Sequence, residues 1–158
     1  MDTGGAAIEQ FTYLLPGIRD TDRVDCFAAA FVVGLPLVLW LLLRSGWSRH
    51  GQDPEAFLNG GVTPGVHPLC AQWLAEQTAI QGLGVETVGT DAGQAGGFEP
   101  AYPCHWFFHG ANKYGLTQLR HLAELPARGA LLIVAPLPIV GGSGSPCRVI
   151  AIFEKEAP

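Results

Sequence analysis

Basic residues are scarce in this 158-residue chain: nine Lys and Arg stand against fourteen Asp and Glu, with no Lys/Arg cluster anywhere. There is no positive surplus to neutralise a phosphate backbone, so nucleic acid is excluded as a partner. The four cysteines, Cys26, Cys70, Cys104 and Cys147, are scattered and form no C-x-x-C pair. That spacing excludes a zinc ribbon or a redox motif and reads as free thiols in a reducing compartment. Met1 to Gln10 carry neither a basic residue nor an apolar run, so no secretory signal is expected and the cytoplasm is the expected location. Charged residues make up only 15% of the chain and apolar residues 48%. The balance is too apolar for disorder and too poor in charge for a coiled coil, and the length suits one compact domain.

One segment complicates that reading. From Cys26 to Leu43 the chain carries no charge, reading CFAAAFVVGLPLVLWLLL between Asp25 and Arg44. Its length is close to the ~18 apolar residues that a spanning helix requires, so a membrane anchor is the alternative. Gly34 and Pro36 interrupt the run, and Leu37 to Leu43 resembles a fully buried strand of an α/β protein. The expectation is therefore a buried strand with an apolar approach, in which Leu39, Leu41 and Leu43 are core anchors.

Met1 to Asp25 shows no sustained period. Asp53 followed by Pro54 is a helix start, because Asp caps and Pro fits the first turn, and predicts a short helix over Pro54–Leu58. Gly60, Gly61, Pro64 and Gly65 make a loop. Leu69, Cys70, Trp73, Leu74 and Ile80 then fall on one face at helical spacing and predict a helix from Pro68 to Ile80. Val85 to Gly89 alternates apolar and polar residues, as a short strand delivering the loop Thr90-Asp91-Ala92-Gly93 would. Pro103 can open a further short helix. Leucines from Leu116 to Leu125 suggest a helical or irregular turn on the core, ended by Pro126. Ala130–Ala135 and Cys147–Phe153 read as two core strands joined by a long Gly/Ser turn.

Chemistry concentrates in few places. His105 and His109 are four residues apart on the predicted helix and share a face, a spacing that suits metal ligands or a general base. The plainer alternative is that His105 lies against Trp106 or Phe108 with an ordinary hydrogen bond. Two histidines do not make a metal site, since a catalytic zinc needs about three protein ligands plus water. Asp91, at the end of the predicted strand with Thr90 and Gln94 beside it, could bind a substrate or orient a histidine; the plainer reading, and the one favoured by the residues alone, is an Asx-type turn over Asp91-Ala92-Gly93. Gly141 to Ser145 lack the Lys-Ser/Thr ending of a phosphate loop and precede a strand, not a helix. Ser45, Ser48 and the serines of that stretch lack a nucleophile-elbow setting, and Cys104 does not form a dyad with His105 by adjacency.

Together these residues carry a resemblance. Leu41-Leu42-Leu43-Arg44-Ser45-Gly46-Trp47-Ser48-Arg49-His50, Trp73-Leu74-Ala75-Glu76, Val88-Gly89-Thr90-Asp91, His105-x-x-x-His109-Gly110, Ala135-Pro136-Leu137-Pro138-Ile139 and Gly142-Ser143-Gly144-Ser145-Pro146-Cys147-Arg148-Val149 follow one another as they do in the cyclase family. That family includes bacterial kynurenine formamidase and isatin hydrolase. The resemblance runs from about Leu39 to Phe153. It divides the chain into residues 1–38, which do not resemble the family, and a partial family domain over 39–158.

What the resemblance implies is an α/β chain with the swivelling β/β/α-type cyclase fold, incomplete at its N-terminus. It implies a zinc or manganese ion that activates water to open a small cyclic or aryl amide. His105 takes the family's downstream histidine position and His109 a second histidine found in part of it, both as catalytic residues. Asp91 and Trp106 are the expected substrate-binding residues. Gln118, in Thr117-Gln118, is the metal donor expected where some relatives have a Glu-Asn pair, a weaker donor than a carboxylate. The family's upstream signature, His-x-Gly-Thr-His-x-Asp-x-Pro, has no counterpart in Met1 to Val38, which contain no histidine. A non-catalytic binding or scaffold protein on the same fold is therefore the alternative function. Faces that an upstream half would cover predict a homo-oligomer or a component awaiting a larger subunit, with Trp40, Trp47 and Trp106 as contact aromatics.

Overall fold

The structure, a computed structural model, describes residues 25–29 and 38–154. Its organising element is β2 (Leu39–Arg44), whose Trp40, Leu41, Leu42 and Leu43 are all buried. Successive side chains of a strand point to opposite faces, so an unbroken apolar run means that both faces of β2 are covered. On one edge β2 pairs antiparallel with β1 (Asp25–Ala29); on the other it pairs parallel with β3 (Ile80–Val85), which pairs parallel with β4 (Tyr114–Leu116). The sheet order is thus β1-β2-β3-β4. The carboxyl ends of the three parallel strands lie along one edge, the usual place for a site in an α/β sheet.

Leu41, Leu43, Leu83 and Val85 point to one face of the sheet, where they meet Ala71 and Leu74 of α2 (Pro68–Glu76) and Cys104 and Phe108 of a π-helix (Cys104–His109). Trp40 and Leu42 point to the other, against Leu116, Leu119 and Leu122. Leu132, Val134 and Val149 close that second face from an antiparallel ribbon of β5 (Leu131–Pro136) and β6 (Cys147–Ile152). Full burial of a large aliphatic side chain is worth roughly 1.5–3 kcal/mol, so these two apolar layers carry much of the fold's stability. Close packing on the second face depends on glycine. Gly82 lies beside Trp40 in the ladder, and a Cβ there would come within 2.3 Å of the indole.

The short helix over Pro54–Leu58 (α1) forms as expected, with Asp53 Oδ1 accepting from Glu55 N and Ala56 N. Other expectations need correction. The helix predicted to Ile80 ends at Glu76, because Thr78 Oγ1 and Lys113 Nζ both donate to Leu74 O and terminate it, and Ile80 opens β3 instead. Its buried residues are Ala71 and Leu74, whereas Leu69 and Trp73 are exposed. The strand predicted at Val85–Gly89 lies at Ile80–Val85; the two glycines that conceal it are tolerated because large side chains of β2 fill their space. The leucines from Leu116 onward do pack on the core as expected, Leu116 from the end of β4, Leu119 from an irregular segment and Leu122 from a short 3-10 turn (Leu122–Glu124). Within the run from Cys26 to Leu43, Leu41 and Leu43 are buried and Leu39 is half-buried, while residues 30–37 lie outside the described residues. Among the described residues no helix is long and apolar enough to cross a membrane.

Candidate functional site

Beyond the carboxyl end of β3 the chain turns inward through Glu86, Thr87, Thr90 and Asp91, all nearly buried. Asp91 sits under the start of the π-helix. Its Oδ1 accepts from Cys104 N at 2.7 Å, and its Oδ2 accepts from His105 N at 3.2 Å and contacts His105 Nδ1 at 2.5 Å. The carboxylate thereby satisfies backbone donors that the first turn of a helix leaves without partners. With a carboxylate on Nδ1, that nitrogen carries the proton and Nε2 is left with its lone pair. The side chain of His105 is 64% exposed against 5% for Asp91, so a buried carboxylate holds an exposed imidazole.

His109, one π-helical turn on, is half-buried, with Nε2 at 2.9 Å from Thr90 Oγ1 and Nδ1 at 3.0 Å from Lys113 O. The two imidazole rings stand edge to face, 5.1 Å between centroids. The ring of Tyr102 meets His105 edge-on from the other side, and both Tyr102 and Trp106 are exposed. The geometry thus brings His105, His109 and Asp91 together. It places Asp91 beneath His105, with both carboxylate oxygens engaged by the protein. Burial above all, then the neighbouring Asp91 and Cys70, pushes the Cys104 thiol well up, offset in small part by the nearby Thr90 side chain. Cys104 is a neutral thiol in the core, not a nucleophile.

Gln118 is placed elsewhere. Its backbone takes a left-handed φ of 59° and its N donates to Thr87 O at 2.9 Å, which ties the segment after β4 to the segment after β3. Its side chain lines a cavity of about 190 Å³ with Ser48, Phe57, Glu86, Leu119 and Arg120, and neither His105 nor His109 reaches that cavity. Glu86, which the sequence reading missed, is 2% exposed. It accepts from Ser48 Oγ at 2.7 Å on one oxygen, and from Ser45 Oγ and Trp47 N at 3.1 Å on the other. Arg120 reaches across the mouth to Gly51 O at 2.7 Å. Among the described residues no three His, Cys, Asp or Glu side chains converge on a common point. These residues by themselves do not fit a bound zinc or manganese.

Comparison with known proteins bears on the whole arrangement. Residues 19–92 match the cyclase family model. An isatin hydrolase of Roseibium aggregatum is 43% identical over 120 residues, covering 73% of this chain and 45% of that protein. Among solved structures, isatin hydrolase A from Ralstonia solanacearum superposes with a TM-score of 0.70 at 49% identity, over 73% of this chain and 45% of its own. An isatin hydrolase bound to the product analogue thioisatinate gives 0.68 at 43% identity, over the same shares. The chain spans less than half the length of these relatives.

Proposed function

Because the chain belongs to the cyclase family, over a part of its relatives' length, we propose that it serves the hydrolysis of a small cyclic or aryl amide, with His105 as its proton carrier. The observation that carries this reading is the buried Asp91 carboxylate on Nδ1 of the exposed His105 ring, which leaves the lone pair on Nε2. In this scheme Nε2 takes a proton from water as its oxygen attacks the amide carbonyl carbon. The C–N bond then breaks and the same nitrogen returns the proton to the leaving amine, so that one water is consumed and a carboxylic acid and an amine are formed, the acid then losing its proton to solvent. Asp91 fixes the tautomer and stabilises the imidazolium between the two transfers. It supports the substrate through His105 and not by direct contact, while Trp106, 67% exposed on the same helix, offers an apolar plate to an aryl ring.

Zinc or manganese is what the family resemblance implies. The described residues hold no complete site for either, Gln118 being apart from the histidines, so no step is drawn through a metal. That same lack favours a second reading, ligand binding without turnover. The test is isatin ring opening by the full chain, with zinc or manganese supplied, alongside isatin binding by calorimetry. Turnover that drops roughly 100-fold or more in Asp91→Asn supports the proposal, since a positioned acid–base group contributes about 10²–10⁴-fold. Saturable binding without turnover supports the second reading. Neither binding nor turnover contradicts both.

A further inference from the structure

Two histidines four residues apart invite the reading that both move protons, yet their surroundings differ in kind. His105 is an exposed ring held through Nδ1, whereas His109 has both ring nitrogens engaged by the protein. The partner of His109 Nδ1 is the Lys113 carbonyl, which only accepts, so Nδ1 must carry a proton. The partner of Nε2 is the Thr90 hydroxyl, which can donate to a neutral imidazole's lone pair.

The place of the ring is built on every side. Gly115, on β4, lies against it: a Cβ there would come within 2.6 Å of Cε1 and 3.0 Å of Nε2. Phe108 meets it edge-on, 5.7 Å between centroids. Lys113, whose carbonyl holds Nδ1, is itself tied down, because its Nζ donates to Leu74 O at 2.8 Å and Thr78 O at 3.2 Å at the end of α2. The consecutive residues Thr90 and Asp91 thus take one histidine each, and the His105 ring stands edge to face on the one so fixed.

We propose that His109 is a positioning residue: a neutral imidazole locked as the Nδ1–H tautomer in a cradle of Thr90, Lys113 and Gly115, against which the working ring of His105 is held. The reaction it serves rests on the hydrolase reading above; its tautomer does not. A metal ion or a substrate proton reaches Nε2 only by displacing the Thr90 hydroxyl.

The test is long-range ¹H–¹⁵N correlation of the histidine rings in the full ¹⁵N-labelled chain near neutral pH. The expected result is a protonated Nδ1 and a bare Nε2 for His109. Thr90→Val, which keeps the shape and removes the donor, is expected to shift the ring signals of both histidines and to lower kcat roughly 10-fold or more with KM little changed, as misplacement of a catalytic group does. Thr90→Ser is expected to restore the signals and the rate. A proton on Nε2 of His109 in the wild type, or a Thr90→Val chain with wild-type His105 signals, overturns the proposal. If Thr90→Val fails to fold, the wild-type tautomer and the Thr90→Ser spectrum decide. A chain without turnover counts against the hydrolase reading alone, because the tautomer is read independently of activity.

Discussion

Asp91 and Glu86 are both nearly buried carboxylates after the same strand, and each is used to order a distant piece of chain. Asp91 could be picked out in the sequence because its position after a predicted strand pointed to a site. Glu86 could not, because its partners Ser45, Trp47 and Ser48 lie some forty residues upstream, and their serines look like idle hydroxyls until the fold brings the carboxylate to them. Replacing Glu86 with Ala strands these donors, and the loss of a multiply bonded buried group is expected to cost about 3 kcal/mol or more, read as a lower midpoint in urea unfolding. Cys104 gives a test of opposite kind. Its thiol is raised from 9.0 in the folded state, so the fold keeps a proton there that the unfolded chain loses. The contribution is fully present below about pH 9 and is lost as pH rises further. Iodoacetamide near pH 8 is expected to label exposed Cys147 while sparing Cys104 until the chain unfolds, as peptide mass mapping would show; equal labelling of the two contradicts the burial argument.

The elements differ in how far their own residues determine them. α1 is set locally by Asp53 and Pro54, and β2 by its apolar run, which is why both are legible. β3 is not, because Gly82 and Gly84 weaken it as a strand in isolation and make sense only against Trp40 and Leu42 of its neighbour. Gly82→Ala is therefore expected to destabilise by about 1–3 kcal/mol through overpacking, despite adding a single methyl group; calorimetry showing an unchanged Tm would mean that Trp40 moves aside freely. The helix after Pro103 was legible as a helix but not as a π-helix. Gly110 N bonds to His105 O, five residues back, a register fixed by Asp91 at one end and Thr90 at the other. Tertiary anchors of this kind leave no trace in local spacing, and π-turns recur at functional sites.

As a whole, the described chain is a sheet covered on both faces, with its chemistry on the carboxyl edge of three parallel strands. The ribbon that covers one face turns Ile133, Ile150 and Ile152 outward, and Leu137, Ile139 and Val140 of its connecting loop are exposed as well. Exposed apolar residues of this kind are what a subunit contact would cover, and on that ground we propose that the chain forms a homo-oligomer. Of the aromatics expected at such a contact, Trp106 is exposed, whereas Trp40 is 9% exposed and belongs to the core beneath the ribbon. Light scattering is expected to give a mass above 16.8 kDa; a species at the chain mass would contradict the oligomer.

In the proposed reaction the far nitrogen of His105, set by Asp91, carries the proton in amide hydrolysis. The most direct test of that role is kcat/KM for isatin opening by the wild-type chain and His105→Ala across a range of pH. The account predicts a loss of roughly 100-fold or more in the variant, together with disappearance of the wild-type limb that reports the base. A variant with wild-type turnover and an unchanged pH profile would contradict it.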